Sequence, residues 1–250
     1  MNRTAISEAL KQKPVLISDG ACGTFLQQRG LQPGECPELW CIDHRDVVLQ
    51  MAREYRQAGS DMVETNSFGG SRFKLEAFGL GNRVRELNEA ATAVAREGVG
   101  DDCWILASVG PTGKMLVLGD VTKDDLYDAF REQVVALERG GADAICVETM
   151  SATDEAVQAV KAARENTECE VISTYTFEKT QQGEYRTMMG IGPADAARAS
   201  LEAGADIIGT NCGNGMAGMV AIVREMRSHY PDVPILVHAN AGLPKLVDGE

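Results

Sequence analysis

The chain has 250 residues, of which 44% are hydrophobic and 24% are charged, and its formal net charge is −13. This length is enough for one large domain with a full core, or for two small domains. An acidic surface repels phosphate backbones, which argues against a nucleic-acid-binding protein. No apolar run approaches the roughly 18 residues that span a bilayer, and the amino terminus lacks the apolar segment of a signal peptide, so we expect a cytoplasmic protein with no membrane contact.

Seven apolar segments are predicted as β-strands. Their side chains are almost continuously apolar, which is typical of strands covered on both faces of a parallel sheet. In chain order the segments are residues 14–18, 61–65, 104–108, 143–148, 170–177, 206–210 and 234–239.

One structural unit occurs three times along the chain: the end of a helix, a glycine, an aspartate, a strand and a polar strand tip. Gly59, Gly141 and Gly204 are predicted to end their helices in the left-handed conformation, which glycine adopts without steric cost. Repetition of a helix–turn–strand unit favours an α/β array. The three copies cover residues 52–69, 136–151 and 200–215.

Helices are predicted between the strands. In residues 153–167 apolar side chains recur three and four apart, and Ser151 with Asp154 resembles a capping box, while Pro193 suits the first turn of a later helix. This alternation predicts a (β/α)8 TIM barrel, with an open doubly wound sheet as the alternative. The barrel is favoured because no glycine-rich dinucleotide fingerprint follows the first strand.

The predicted barrel stops after its seventh strand. A barrel with seven strands leaves two open edges, which natural proteins avoid. We therefore expect a single barrel domain over residues 1–250 that is incomplete at its carboxyl terminus. Either the chain is a piece of a longer one, or another segment or subunit covers the gap.

Cysteine is the next residue type to place. Seven cysteines are an odd number for a disulfide framework, so we expect thiols, metal ligands or core residues. Cys103 and Cys146 lie in or beside apolar runs and are predicted to be core residues. Cys36 and Cys41 lie in a polar loop, at a spacing that fits no common zinc pattern, and are interpreted as incidental.

Small polar or acidic groups occupy the predicted strand tips, where barrel enzymes build their active sites. Asp19, Glu64 and Glu148 would place three carboxylates at one mouth, where they would attract an amino group, a metal ion or a shared proton. Any one of them alone could instead cap a helix or hold a loop. The candidate site residues are Asp19, Gly20, Ala21, Glu64, Asn66, Ser67, Ser108, Glu148, Thr149, Asn211, Cys212 and Asn240.

Histidines offer little for catalysis. His44 and His229 lie in a loop and at a helix end, and His238, two residues before Asn240, is expected in the core or in a supporting position rather than on a metal. Cys212 has no evident histidine partner at a neighbouring tip, which weakens its interpretation as a nucleophile. A thiolate that acts as a metal ligand remains.

Taken together, the tip motifs resemble the zinc-dependent homocysteine S-methyltransferase family, and most of all the homocysteine-binding barrel of cobalamin-dependent methionine synthase. The resemblance runs in the right order from about residue 14 onward. The motifs are DGACGTFLQQRGL, GECPELW, ETNSFGGSRFKL, SVGPTGK, VETMS, GTNCGNG and NAGLP.

The resemblance implies an activity. Zinc held by cysteine thiolates would activate the homocysteine thiol, which would take a methyl group from a corrinoid or methylfolate-linked donor and form methionine. Asp19 and Glu148 match the residues that bind the substrate amino group, and Cys212 and Asn240 match zinc ligands. Asn211 and Ser67 are further candidates for substrate contact. A corrinoid carrier protein and a second copy of this chain are the implied partners.

The sequence departs from the family at one motif. The family's tandem cysteine pair, in GGCCG at the tip of strand eight, does not occur here. We therefore expect a truncated methyltransferase. The alternative is a non-catalytic or partner-completed subunit that binds a thiol or an amino acid in a corrinoid methyl-transfer system. A third hypothesis is a lyase or aldolase that uses the carboxylates with Mg²⁺.

Overall fold

The computed structural model describes residues 4–242. Within them, six parallel strands form one sheet in the order β1-β2-β3-β4-β7-β8, which curls into a half-barrel with helices around it. A short antiparallel hairpin, β5 with β6, follows β4 and has no counterpart in the sequence predictions. The strands are β1 Met62–Glu64, β2 Trp104–Val109, β3 Ala144–Met150, β4 Glu170–Tyr175, β5 Glu178–Lys179, β6 Tyr185–Arg186, β7 Ile207–Asn211 and β8 Ile235–His238.

Helices connect successive strands of the sheet, as a parallel α/β fold requires. Within residues 4–242, no helix is both long and apolar enough to cross a bilayer. The α-helices are α1 Ile6–Gln12, α2 Cys22–Gln27, α3 Trp40–Asp43, α4 Arg45–Gln57, α5 Arg72–Glu76, α6 Val84–Val99, α7 Lys123–Arg139, α8 Thr153–Asn166, α9 Pro193–Ala203 and α10 Met216–His229. Short 3-10 helices lie at Pro37–Leu39, Gly81–Arg83, Gly100–Asp102 and Leu116–Leu118.

The prediction of a parallel α/β barrel is confirmed, but its first strand is not. Residues 14–18 contribute a single parallel bridge, from Ser18 to the first residue of β1. The carboxylate of Asp61, rather than the carbonyl of a neighbouring strand, accepts the N–H of Ile17 at 2.9 Å. The side chains of Val15 and Ile17 are 66% and 53% exposed, so burial on two faces does not hold this segment as a strand.

The three repeated turns all form as predicted. Gly59, Gly141 and Gly204 have φ values of 105°, 103° and 108°, which is the left-handed region. Two residues after each glycine, an aspartate exchanges two hydrogen bonds with one residue of the preceding segment: its N–H donates to the carbonyl, and its carboxylate accepts the N–H. The pairs are Asp61 with Ile17, Asp143 with Ile105 and Asp206 with Val171, with carboxylate–nitrogen distances of 2.9, 2.7 and 2.8 Å.

A cation also contacts the carboxylate of each of these aspartates. Lys13 binds Asp61, Arg96 binds Asp143 and Arg164 binds Asp206. The start of each repeated strand is therefore attached to its neighbour by the backbone and by a charged side chain together. Because one residue on each side takes part, the contact sets the register of the parallel sheet.

The largest hydrophobic cluster lies between the sheet and the helices α7 to α10, and smaller clusters involve α4 and α6. Phe130, Leu137, Val160 and Val171 are all inaccessible to solvent there. Cys103 and Cys146 are fully buried, as predicted for core residues. Cys36 and Cys41 are buried as well, at 5% and 1% exposure. The polar loop expected there is instead a 3-10 helix followed by α3, which contains Cys41.

Helix starts are the least accurate of the predictions. Pro193 begins α9, as predicted. The capping box expected at Ser151 is absent, because α8 starts at Thr153 with Ala152 at its N-cap. A complete capping box instead begins α7, where the side chains of Thr122 and Asp125 bond reciprocally to each other's backbone N–H.

The reciprocal aspartate pairing predicts a specific effect on stability. Asp143→Ala should lower the free energy of unfolding by about 1–3 kcal/mol, because it leaves the N–H of Ile105 and the guanidinium of Arg96 without this acceptor. Asp143→Asn should cost less, since its amide oxygen can still accept the N–H. Urea unfolding measures both. Asp128→Ala removes an exposed aspartate on α7 and should change the value by less than about 0.5 kcal/mol; equal losses in all three variants would contradict the prediction.

Candidate active site

Three carboxylates meet at the carboxyl edge of the sheet, and we call them the carboxylate cluster: Asp19, Glu64 and Glu148. Asp19 directly follows the Ser18 bridge, Glu64 ends β1, and Glu148 lies near the end of β3. The N–H of Glu64 donates to Asp19 Oδ2 at 2.8 Å, which joins the first two. The parallel sheet therefore brings together the three acids that the sequence places at strand tips.

Glu148 is held by neutral donors from strands on either side of β3, one from the adjacent β2 and one from β7, which lies beyond β4. The hydroxyl of Ser108, on β2, donates to Glu148 Oε1, and the amide of Asn211, on β7, donates to Oε2 at 2.9 Å. The side chain is only 8% exposed. Its orientation is thus fixed by side chains on both sides of β3.

Burial makes these acids hard to ionise. It raises the pKa of Asp19 to about 7, although the N–H of Glu64 and the Ser18 hydroxyl oppose the shift. It raises the pKa of Glu148 to about 6, against the bond from Ser108. Burial, and then repulsion from Glu148 and Asp19, raises the pKa of Glu64 well above its ordinary value. Near neutral pH the three carboxyl groups are therefore partly protonated. A bound cation would favour their ionised form and displace the protons.

His238, at the end of β8, joins the cluster. Its Nδ1 lies 3.6 Å from Glu64 Oε1, and burial lowers the pKa of His238 to about 4, so this contact is not an ion pair at neutral pH. Ligand atoms of Glu64, Glu148 and His238 all lie within 4.8 Å of one another. The imidazole therefore lies beside the carboxylates, and its supporting role stays a prediction.

Cys212 follows β7 at the same edge and is exposed. Its φ of 55° is unusual for a residue with a side chain, and its N–H donates to the carbonyl of His238 at 3.0 Å. Partial burial, and then the charge of Glu148, raises the pKa of the thiol. The thiol and the carboxylate cluster are therefore close enough to influence each other.

The metal ligands implied by the family resemblance are only partly present. Asn240 lies near Cys212, and its N–H donates to the carbonyl of Asn214. Among residues 4–242, the group of His, Cys, Asp and Glu side chains close enough to hold an ion is Glu64, Glu148 and His238, which does not include Cys212. A zinc–thiolate site has three or four protein ligands, so the described residues do not form one at Cys212.

Several residues that were predicted to contact the substrate are buried beneath the surface of the site. Asn66, Ser67 and Asn211 are 6%, 1% and 1% exposed. The Asn66 amide donates to the carbonyl of Pro37, and the Ser67 hydroxyl donates to the carbonyl of Ser108. These side chains support the loops and strands of the site from within.

The glycine and alanine after Asp19 shape the entrance. The carbonyl of Ala21 accepts a hydrogen bond from the hydroxyl of Tyr55 at 3.0 Å. A Cβ on Gly20 would lie 2.9 Å from the same hydroxyl oxygen, which explains the need for glycine. Tyr55 lies in a helix, and nothing in its local sequence pointed to this position.

Cys22 is a second residue that the sequence analysis did not select. Burial raises the pKa of its thiol well above the ordinary value, followed by the charges of Asp19, Glu64 and Glu148. The thiol therefore lies beside the carboxylate cluster. Its position three residues after Asp19, at the start of α2, was the available signal.

The fold and the site define a parallel α/β half-barrel with buried acids and a cysteine at the carboxyl ends of its strands. The sequence model of the family described as homocysteine S-methyltransferase matches residues 16–250. The chain belongs to the homocysteine S-methyltransferase family.

Known relatives agree with this assignment. Methionine synthase of Mycobacterium tuberculosis is 34% identical over an alignment of 264 positions, which covers 97% of this chain and 21% of that protein. Betaine–homocysteine S-methyltransferase 1 of Sus scrofa is 30% identical over 217 residues, covering 84% of this chain and 75% of that protein. This chain thus spans about a fifth of the methionine synthases and most of the pig enzyme.

A solved structure supports the fold. The metallated form of the homocysteine methyltransferase MmuM from Escherichia coli superposes with a TM-score of 0.78 at 20% identity, over 94% of this chain and 86% of that one. At this identity the likeness supports the shared fold.

The carboxylate cluster predicts how stability depends on pH. A carboxyl whose pKa is higher in the folded state than in the unfolded state binds more protons when folded, so stability falls as pH rises between the two values. For Asp19 this interval runs from about 4 to about 7. The free energy of unfolding should fall across it, and should fall less steeply in Asp19→Asn, whose amide oxygen can still accept the N–H of Glu64 but carries no charge.

Urea unfolding at several pH values measures this slope. Glu86→Gln is a control whose pH dependence has the opposite sign, because a hydrogen bond from Arg83 lowers the pKa of Glu86. This variant should lose stability only above the acid range, where Glu86 is ionised. An unchanged slope in Asp19→Asn would show that the carboxyl is not the source of the pH dependence.

Proposed function

We propose that residues 1–250 are the homocysteine-binding barrel domain of a methyltransferase that moves a methyl group to the thiol of homocysteine and forms methionine. One observation carries the proposal: the carboxylate cluster, with Glu148 buried and Asp19 and Glu64 partly buried, shares one edge of the sheet with an exposed cysteine thiol, in a chain of the homocysteine S-methyltransferase family. An α-amino acid with a thiol side chain has an ammonium group for the first and a sulfur for the second.

The carboxylate cluster is proposed to bind the α-ammonium group. Glu148 and Asp19 are the principal acceptors, because their pKa values of about 6 and about 7 allow them to ionise when a cation arrives. Ionised carboxylates form the stronger, charge-assisted hydrogen bonds. Ser108 and Asn211 then keep Glu148 in place, and we propose that Gly20 and Ala21, held against Tyr55, line the same site.

The sulfur end of the substrate is proposed to lie toward Cys212. We assign Cys212 and Asn240 as the zinc ligands that this part of the chain contributes. Further ligands are not among residues 4–242, and we therefore derive no catalytic step through the metal.

The methyl donor is proposed to be corrinoid-bound or methylfolate-linked. The higher identity to methionine synthase, 34% against 28–30% for the betaine-dependent enzymes, supports that choice. A partner-completed binding subunit is the second candidate. The incomplete ligand set at Cys212 favours it, because such a subunit needs only the amino-acid end of the site.

Amino-group recognition can be measured directly. The protein should bind L-homocysteine at least about 10-fold more tightly than 4-mercaptobutanoic acid, which lacks the amino group, since a hydrogen bond to a charged group contributes about 1.5–3 kcal/mol. Glu148→Gln should reduce that preference. Glu155→Gln is a matched control, because Glu155 is a buried acid bonded to Thr112 outside the cluster. Titration calorimetry measures both affinities. Equal affinities of the unmodified protein for L-homocysteine and 4-mercaptobutanoic acid would refute the amino-group assignment.

The role of Cys212 separates an enzyme from a binding subunit. In an assay supplied with zinc and methylcobalamin, Cys212→Ala should lower methionine formation by on the order of 100-fold. Removal of a group that merely supports a metal ligand already costs about 10–100-fold, and loss of the ligand itself should cost at least as much. Cys169→Ala, at a buried cysteine, should retain activity. Tight homocysteine binding with no turnover in the unmodified protein would favour the binding subunit instead.

A further inference from the structure

Asn211 connects three strands of the sheet through one carboxamide. It ends β7, and its side chain is 1% exposed. Its Oδ1 accepts the N–H of Thr149, on β3, and the hydroxyl of Thr174, on β4, both at 2.9 Å. Its Nδ2 donates to Glu148 Oε2 at 2.9 Å and to Thr149 Oγ1 at 2.7 Å. Both polar atoms of the amide are thus engaged by the protein itself.

The backbone beside Glu148 needs such support. Thr149 has a φ of 59°, a conformation that is costly for a β-branched residue. The register between β3 and β4 also shifts between Val147 and Met150, so β3 contains a bulge. A bulge changes the direction in which a strand presents its side chains. Here it lies at Glu148 and Thr149, and Asn211 holds both residues.

We propose that Asn211 is a positioning residue, which fixes the Glu148 carboxylate and the Thr149 bulge and thereby sets selectivity for the substrate's amino group. This inference rests on the proposed homocysteine-binding function. It replaces the expected direct contact between Asn211 and substrate, because the oxygen and the nitrogen of this buried amide are both already bonded within the protein. The substrate instead meets Glu148, whose position depends on Asn211.

The binding test uses two ligands and one variant. Asn211→Ala should weaken L-homocysteine binding at least about 10-fold, while binding of 4-mercaptobutanoic acid changes less than about 2-fold. A side chain that only filled space in the core would affect both ligands alike. Asn166→Ala is the control, since the Asn166 amide also bonds within the protein, to Tyr127 and to the carbonyl of Ala162, on α8. It should leave the ratio of the two affinities unchanged.

A second variant separates support of the backbone from orientation of Glu148. Thr149→Gly removes the strain of a positive φ. Where Asn211 is present, the substitution also removes the hydrogen bond from the Asn211 amide to the Thr149 hydroxyl. It should therefore raise the urea midpoint of Asn211→Ala more than that of the unmodified protein. The double variant should still bind L-homocysteine weakly, because glycine does not replace the donor to Glu148.

Each outcome decides the inference. Equal weakening of both ligands by Asn211→Ala, or restored L-homocysteine binding in the double variant, would overturn it. If the unmodified protein does not bind L-homocysteine, the proposed function fails, and the urea midpoints still test the bracing of Thr149. Equal midpoint shifts from Thr149→Gly in both backgrounds would then overturn the inference on its own.

Discussion

The site depends on one constraint: the parallel strands must start in a fixed register, so that their carboxyl ends finish level with one another. The Gly-x-Asp turns impose that register. In each turn a left-handed glycine ends the helix, and the aspartate two residues later exchanges hydrogen bonds with a residue of the preceding segment. Since a shift by one residue would turn each side chain to the opposite face, these contacts also decide which side chains reach the mouth. Glu64 and Glu148 lie in the strands that begin this way.

The carboxylates at that edge are costly to keep there. Burial opposes ionisation of Asp19, Glu64 and Glu148, and repulsion among them adds to the effect. The fold offsets part of this cost with oriented donors: the N–H of Glu64, the hydroxyl of Ser108 and the amide of Asn211. Such donors leave the cluster short of positive charge. A cationic ligand would supply it, which is the physical basis for the amino-group recognition that we propose.

Much of this arrangement could be predicted from the sequence, because its causes are local. Continuous apolar runs identified the six strands of the sheet, and Gly59, Gly141 and Gly204 identified the turns. Parallel strands with polar tips then implied that the acids would meet. Residues 14–18 were mistaken for a strand because an apolar run does not reveal whether a neighbour is present to pair with it.

The supporting contacts could not be predicted, because they arise from tertiary structure. The left-handed conformations of Thr149 and Cys212 contradict the preference of residues with side chains. The burial of Asn211 and the contact of His238 with Glu64 depend on the curvature of the sheet, which brings β1, β3, β7 and β8 toward one another. Sequence reasoning thus placed Asn211 near the acids as a candidate for substrate contact, but it did not foresee the bond between its amide and Glu148.

The two ends of the site differ in how complete they are, and this difference has a mechanistic meaning. The amino-acid end is built entirely from described residues, and its acceptors are held from both sides. The sulfur end presents Cys212, exposed and beyond the cluster of potential ligand atoms. Under the proposed function, binding of the substrate's amino group would need only the half-barrel, whereas activation of its thiol by zinc would need ligands in addition to Cys212 and Asn240. Because the amide of Asn211 contacts Glu148 and also lies 3.5 Å from the Cys212 sulfur, one side chain relates the positions of both ends.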